Sequence, residues 1–134
     1  MTHVDWSADG RYLQSTDGAN EMLYWDANGR RIPSATDFRD TDWASWTCPF
    51  GWPVAGIWPP NSDGTDINAL DRSPQGTVLA TGDDSSKVKL FRWPAPLKDS
   101  ESHSYNGHSS HVTNVRFNGD GRLLRVHKQS NTTT

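Results

Sequence analysis

Three histidines, His103, His108 and His111, lie close together in the chain and are the side chains best suited to a metal ion. A structural zinc takes four nitrogen or sulfur ligands, and the only thiol, Cys48, is remote in sequence. His103 reads as solvated within the polar linker Lys98-Asp99-Ser100-Glu101-Ser102, and His111 as a loop residue ahead of a strand. The run Asn61-Ser62-Asp63-Gly64-Thr65-Asp66 has the look of a calcium loop. An EF-hand, however, needs Gly at its sixth position and a bidentate Glu at its twelfth. Here Gly64 is fourth and the twelfth residue is Arg72, so the acids read as turn formers. Asp83 and Asp84 could pair for acid–base work, but their setting between two strands also suits a turn. No Gly-x-Ser-x-Gly elbow is present for a serine nucleophile. Cys48 stands among tryptophans and reads as a small buried apolar group. No catalytic, cofactor-binding or metal residue is therefore expected, a metal-dependent hydrolase being the alternative.

Tryptophan is the other unusual feature. Four of the seven, Trp43, Trp46, Trp52 and Trp58, fall between Asp37 and Asp66 together with Phe38 and Phe50. The aromatic runs flank Pro49 and Gly51, which predicts a hairpin or strand pair. Indoles supply binding hot spots, but they also fill cores. Trp52 and Trp58, beside Pro or Gly, are the expected exposed members. With Asp63, Asp66 and His111 they form the candidate interaction surface.

The elements that position these residues are short. No apolar spacing of three and four persists along the chain, while Gly, Pro, Asp and Asn interrupt it every few residues. The fold class is all-β. Three stretches superimpose: Val4-Asp5-Trp6-Ser7-Ala8-Asp9-Gly10-Arg11-Tyr12-Leu13, Ala69 to Leu79, and Val115 to Leu124. Their glycines stand at 10, 76 and 121 and their closing leucines at 13, 79 and 124, so both recur at offsets of 66 and 45. Each stretch is strand, polar turn, strand, with Gly at the position that demands positive φ. Third strands follow, Met22 to Asp26 and Val88 to Trp93, with Trp25 and Phe91 again 66 apart. Gly107-His108 precedes the third copy. A period of about 40–45 residues with Gly-His ahead of a unit and an aromatic within it marks WD40-type β-propeller blades. A generic β-sandwich, which lacks this repeat, is the alternative. The residues expected to build the blades are Gly10, Trp25, Gly76, Asp83, Asp84, Phe91, Gly107 and His108.

Size and charge set the frame. The chain has 134 residues, 13 basic and 16 acidic, a net charge of −3 and a mean hydropathy of −0.80. This balance gives no basic surplus for nucleic acid, and no apolar run spans a bilayer. One cysteine forms no internal disulfide, and no basic-then-apolar leader opens the chain. A reduced intracellular setting is expected, with neither nucleic acid nor membrane as partner. The length accommodates about two full blades plus the start of a third, whereas propellers close with about 4–8. Residues 1–124 are thus expected to form a partial propeller with a Trp-rich insertion at about 37–66. Residues 125–134 are expected to form a divergent, disordered polar tail. The partial ring would need the remaining blades of a longer chain and would associate or fold poorly alone.

Several motifs resemble the C-terminal WD40 propeller of the echinoderm microtubule-associated protein-like (EMAP-like) family. These are Trp43-Ala44-Ser45-Trp46-Thr47-Cys48, Gly56-Ile57-Trp58-Pro59, Ser62 to Ala69, Thr81-Gly82-Asp83-Asp84, Lys87 to Phe91, and Gly107 to Val115. The likeness runs from about Val4 to Leu124. It implies a non-catalytic scaffold of the cytoplasmic cytoskeleton, without cofactor, whose partners are tubulin or microtubules. A general WD40 interaction module with a non-cytoskeletal partner is the alternative. In WD40 blades a Gly-His histidine hydrogen-bonds within its blade, which is the role the resemblance implies for His108.

Overall fold

The computed structural model describes residues 2–19, 21–62, 66–98, 100–106 and 110–128. These residues form ten strands and two 3-10 turns, and contain no α-helix. The chain divides into two compact units, Met1–Gly51 and Trp52–Thr134. The division falls inside the expected insertion, so 37–66 is not one element.

The first unit is a four-stranded antiparallel meander of β1 (His3–Trp6), β2 (Tyr12–Thr16), β3 (Met22–Asp26) and β4 (Arg31–Ile32). The second repeats this order with β5 (Ile67–Arg72), β6 (Val78–Asp83), β7 (Lys87–Arg92) and β8 (Ser102–Asn106). It adds a two-stranded sheet of β9 (Val112–Phe117) and β10 (Leu124–Lys128). The architecture is therefore two four-stranded blades and two strands of a third.

The three repeated turns share one design. Ser7, Ser73 and Asn118 each accept, through the side chain, the N–H five residues on, from Tyr12, Val78 and Leu123. Gly10, Gly76 and Gly121 close the turns at φ of 73°, 72° and 74°. That conformation costs glycine little and any other L-residue about 1 kcal/mol or more. Asp17 and Asp83 likewise shape the loops from β2 to β3 and from β6 to β7. Asp17 Oδ1 accepts from the N–H groups of Ala19 and Glu21, and Asp83 Oδ1 from those of Ser85 and Lys87.

In the second unit the β9–β10 sheet lies on the β5–β8 sheet. Ala69, Ala80, Val88, Val112 and Val115 form the buried core between them, flanked by Leu90, Phe117, Leu124 and Val126. Gly82 permits this approach, because a Cβ there would collide with Val112. Polar clasps reinforce it: Asp71 Oδ2 accepts from the Phe117 N–H at 2.9 Å, and Asn68 Nδ2 donates to the Val112 carbonyl at 3.0 Å.

Three sequence expectations are corrected. Residues 43–48 form no hairpin. They run beside β1, with a bridge between Ser7 and Trp43 and the Ala44 N–H bonded to the Trp6 carbonyl. Proline 49, which has no N–H, and Gly51, at φ 117°, break the regular pairing that a hairpin needs. Residues 125–128 belong to β10 rather than to a disordered tail, because Val126 alternates with exposed Arg125 and His127 and packs toward the core; residues 129–134 lie outside the described residues. His103 sits not in a linker but in β8, paired with Leu90.

Candidate functional site

Asp84 organises the first group of expected site residues. It stands in the turn from β6 to β7, where its N–H donates to the Asp66 carbonyl at 2.9 Å. Its Oδ1 accepts from Asn68 Nδ2 at 2.7 Å and lies 3.4 Å from His111 Nδ1. Asp66, through its carbonyl on the Asp84 N–H, and His111, beside the Asp84 carboxylate, thus meet at one residue although distant in sequence, just ahead of β9. Asn68 also holds the Val112 carbonyl, so the cluster ties the start of the β9–β10 sheet to the β5–β8 sheet. The pair is open to water, with side-chain exposures of 54% for His111 and 36% for Asp84, and exposed pairs of this kind contribute about 0–1 kcal/mol. Asp63, Gly107 and His108 lie outside the described residues.

The four tryptophans separate sharply. Trp43 and Trp46 are 7% and 5% exposed, whereas Trp52 is 70% exposed and Trp58 is half-buried. Phe38 stacks on Tyr24 at a centroid distance of 4.5 Å, and Trp43 lies 6.2 Å from both rings. Trp46 meets Trp43 edge-on and donates its indole N–H to the Cys48 carbonyl at 2.8 Å. These rings bury one face of the first sheet. Trp52 opens a 3-10 turn, Trp52–Ile57, whose Val54, Gly56 and Ile57 point inward. Of the remaining blade residues, Trp25 donates its indole N–H to Ser15 Oγ at 3.0 Å, and Phe91 is 5% exposed.

The residue that sequence reasoning missed is Asp5. Its side chain, 1% exposed in β1, accepts from the Thr47 N–H at 2.9–3.0 Å, Thr47 Oγ1 at 2.9 Å and Ser45 Oγ at 2.7 Å. Gln14 Nε2 and the Cys48 N–H complete the shell at 3.1 and 3.2 Å. Burial pushes the carboxyl up, but the donors, Thr47 foremost, outweigh it and hold Asp5 below the usual carboxylate range. The same surroundings push the Cys48 thiol up, burial first and the Asp5 charge second. Cys48 is fully buried. A signal for this hub existed: Asp5-Trp6-Ser7 and Asp71-Arg72-Ser73 share Asp-x-Ser at the offset of the glycines.

Among the described residues no three of His, Cys, Asp and Glu come together as a metal site. A groove of about 860 Å³ lies over the outer strands of the second unit, lined by residues including Val78, Leu90, Arg92, Leu97 and His103. A smaller one of about 250 Å³ is lined by Ile57, Ser62, Asp66, Thr81, Asp83 and Lys89 among others.

Residues 1–126 match the family model described as the echinoderm microtubule-associated protein second β-propeller. The chain is 50% identical over 125 residues to the 77 kDa echinoderm microtubule-associated protein of Lytechinus variegatus, covering 92% of this chain and 19% of that protein. It is 49% identical over 127 residues to Echinoderm microtubule-associated protein-like 4 of Homo sapiens, covering 92% and 13%. Against Echinoderm microtubule-associated protein-like 3 of Homo sapiens the identity is 47% over 126 residues, covering 92% and 14%. The chain spans about a fifth or less of the length of these relatives.

Proposed function

The chain belongs to the echinoderm microtubule-associated protein family, and from that premise we propose that it is a non-catalytic scaffold segment that holds tubulin or microtubules within a longer propeller protein. The observation that carries this reading is the family match over residues 1–126, together with what the blades leave uncovered. Val4 and Trp6 alternate along β1 and are each 49% exposed. Leu70, which stands 66 residues after Val4, is fully buried, as is Leu79, the counterpart of Leu13. Apolar sheet faces of this kind are covered by neighbouring blades in a repeat architecture. The remaining blades of a longer chain are therefore partners as necessary as tubulin. A cytoplasmic, cytoskeletal location goes with this role.

Co-sedimentation with microtubules and capture of soluble tubulin test the proposal, using the chain and the longer gene product that contains it. Tubulin is expected to accompany the longer product in at least one assay. If tubulin is absent from both and affinity capture returns other proteins, the chain is a general WD40 interaction module instead.

A further inference from the structure

The two blades carry matching positions 66 residues apart, and at one of them the second blade leaves a hydroxyl without a partner. Ser15, Leu23 and Trp25 of the first blade correspond to Thr81, Lys89 and Phe91 of the second. The register is shared as well: Ser15 lies across from Leu23, and Thr81 across from Lys89. In the first blade the Trp25 indole N–H donates to Ser15 Oγ at 3.0 Å. Phe91 has no such N–H to offer. Thr81 is 2% exposed, and among the described residues its hydroxyl makes no hydrogen bond. A buried hydroxyl in that state is unfavourable. Lys89 stands beside it where the first blade has the apolar Leu23, and among the described residues its ammonium forms no ion pair.

The second observation is a cavity that both side chains meet. Neighbours directly across two strands hold their Cβ atoms about 5 Å apart on one face, and Thr81 and Lys89 both line the cavity of about 250 Å³. Ile57, Pro59 and Ile67 give it an apolar wall. Asp66 and Asp83 also line it, with Asp83 Oδ1 held by the N–H groups of Ser85 and Lys87. Ala80 and Val88, which alternate with Thr81 and Lys89, face β9–β10. The cavity therefore lies on the other face of the β5–β8 sheet, and every residue lining it belongs to the second unit. Strands that complete the third blade extend the β9–β10 sheet and do not reach it.

We infer that this cavity is a carboxylate-binding site, taking the carboxylate of a short aliphatic acid or of an acidic side chain, with Thr81 Oγ1 and Lys89 Nζ as its donors. A carboxylate accepts from both groups at once, and charge-assisted bonds of this kind are stronger than neutral ones. The aliphatic body rests on Ile57, Pro59 and Ile67. Phosphate is disfavoured, because its second negative charge would face Asp66 and Asp83. A cationic ligand is disfavoured by Lys89. The volume falls below the usual ligand range of about 300–1,000 Å³, which suits a fragment of a few carbon atoms rather than a nucleotide. The inference stands whether or not the chain holds tubulin.

The test titrates the 134-residue chain with isovalerate, followed by saturation-transfer difference NMR and by the thermal midpoint. A capped Ala-Glu-Ala peptide offers the same group on a side chain. Isovaleramide, isopentylamine and inorganic phosphate are run beside them. One of the two acids is expected to bind saturably, more weakly as salt rises, and the tighter of them identifies the source of the carboxylate. Lys89→Leu, which installs the residue of the first blade, is expected to weaken binding at least about tenfold with circular dichroism unchanged. Lys89→Arg keeps the charge and is expected to retain part of the binding. Thr81→Val is expected to weaken binding while the thermal midpoint stays the same or rises, since a hydroxyl without a partner is removed. Equal binding of isovaleramide or isopentylamine, preference for phosphate, or indifference to Lys89→Leu would overturn the inference. So would the absence of saturable binding by either acid. A lower thermal midpoint in Thr81→Val with binding intact would overturn it too, by making the hydroxyl a structural group. Failure of microtubule co-sedimentation with carboxylate binding intact would count against tubulin alone.

Discussion

Asp5 and Thr47, 42 residues apart, are joined by three hydrogen bonds, two from the Thr47 N–H and one from its hydroxyl to the same carboxylate. This contact fastens the 43–48 segment to the first strand of the sheet. Replacing Asp5 with Leu would strand the Thr47 and Cys48 N–H groups in a buried site, each costing about 1–3 kcal/mol. A loss of about 3 kcal/mol or more is expected in urea titrations followed by tryptophan fluorescence, and a change below about 0.5 kcal/mol would show that the hub is idle.

The same carboxylate sets an acid limit. Its folded pKa lies below the ordinary value of 3.8, so the folded state binds this proton less readily than the unfolded state. The stability it contributes is present above about pH 3.8 and is lost as pH falls from there through the lower folded value. Acid unfolding of the native chain is expected to steepen in that window, and Asp5→Asn to flatten it. Parallel acid limbs in the two proteins would refute the assignment.

Two glycines are expected to fail for different reasons. Gly82→Ala places a methyl against Val112 between two sheets, and overpacking of this kind costs about 1–3 kcal/mol. Gly76→Ala meets nothing within 4 Å but inherits a φ of +72°, for a cost of about 1 kcal/mol. Adding Val112→Ala should rescue the first and not the second, a pattern that a double-mutant cycle reads directly.

The Cys48 thiol is buried, and its pKa is pushed up by that burial and by Asp5. Iodoacetamide at pH 8 is expected to leave it unmodified in the native chain and to alkylate it in denaturant. Rapid native labelling, read by mass spectrometry, would place the 43–48 segment elsewhere.

The tryptophans divide into packing and surface groups. Trp43→Ala removes a ring from the cluster with Phe38, Tyr24 and Trp46 and is expected to cost about 3–5 kcal/mol. Trp52→Ala, at a position 70% exposed, should change stability by less than about 0.5 kcal/mol while reducing acrylamide quenching of the total fluorescence. Similar stability losses in both variants would contradict the burial pattern.

The amino-acid sequence alone determined what depends on neighbours a few residues apart. Ser7, Ser73 and Asn118 reach only five positions ahead, and Gly10, Gly76 and Gly121 satisfy one backbone angle. Turn chemistry and repeat spacing therefore announced an all-β chain of propeller blades. The acids at 83 and 84 were legible as turn residues for the same reason. What tertiary structure decided were the pairings made across long separations. Nothing local tells Asp5 that Thr47 will donate to it, or Asp84 that Asp66 and His111 will meet there. Nor does a stretch rich in Trp and Pro declare whether it folds on itself or along another strand. In the fold Phe38, Trp43 and Trp46 are buried in ring contacts with Tyr24 and one another, contacts that no short-range pattern specifies. β10 escaped notice on the same principle: Arg125, His127 and Lys128 read as a polar tail until β9 supplied the backbone partner that makes them a strand.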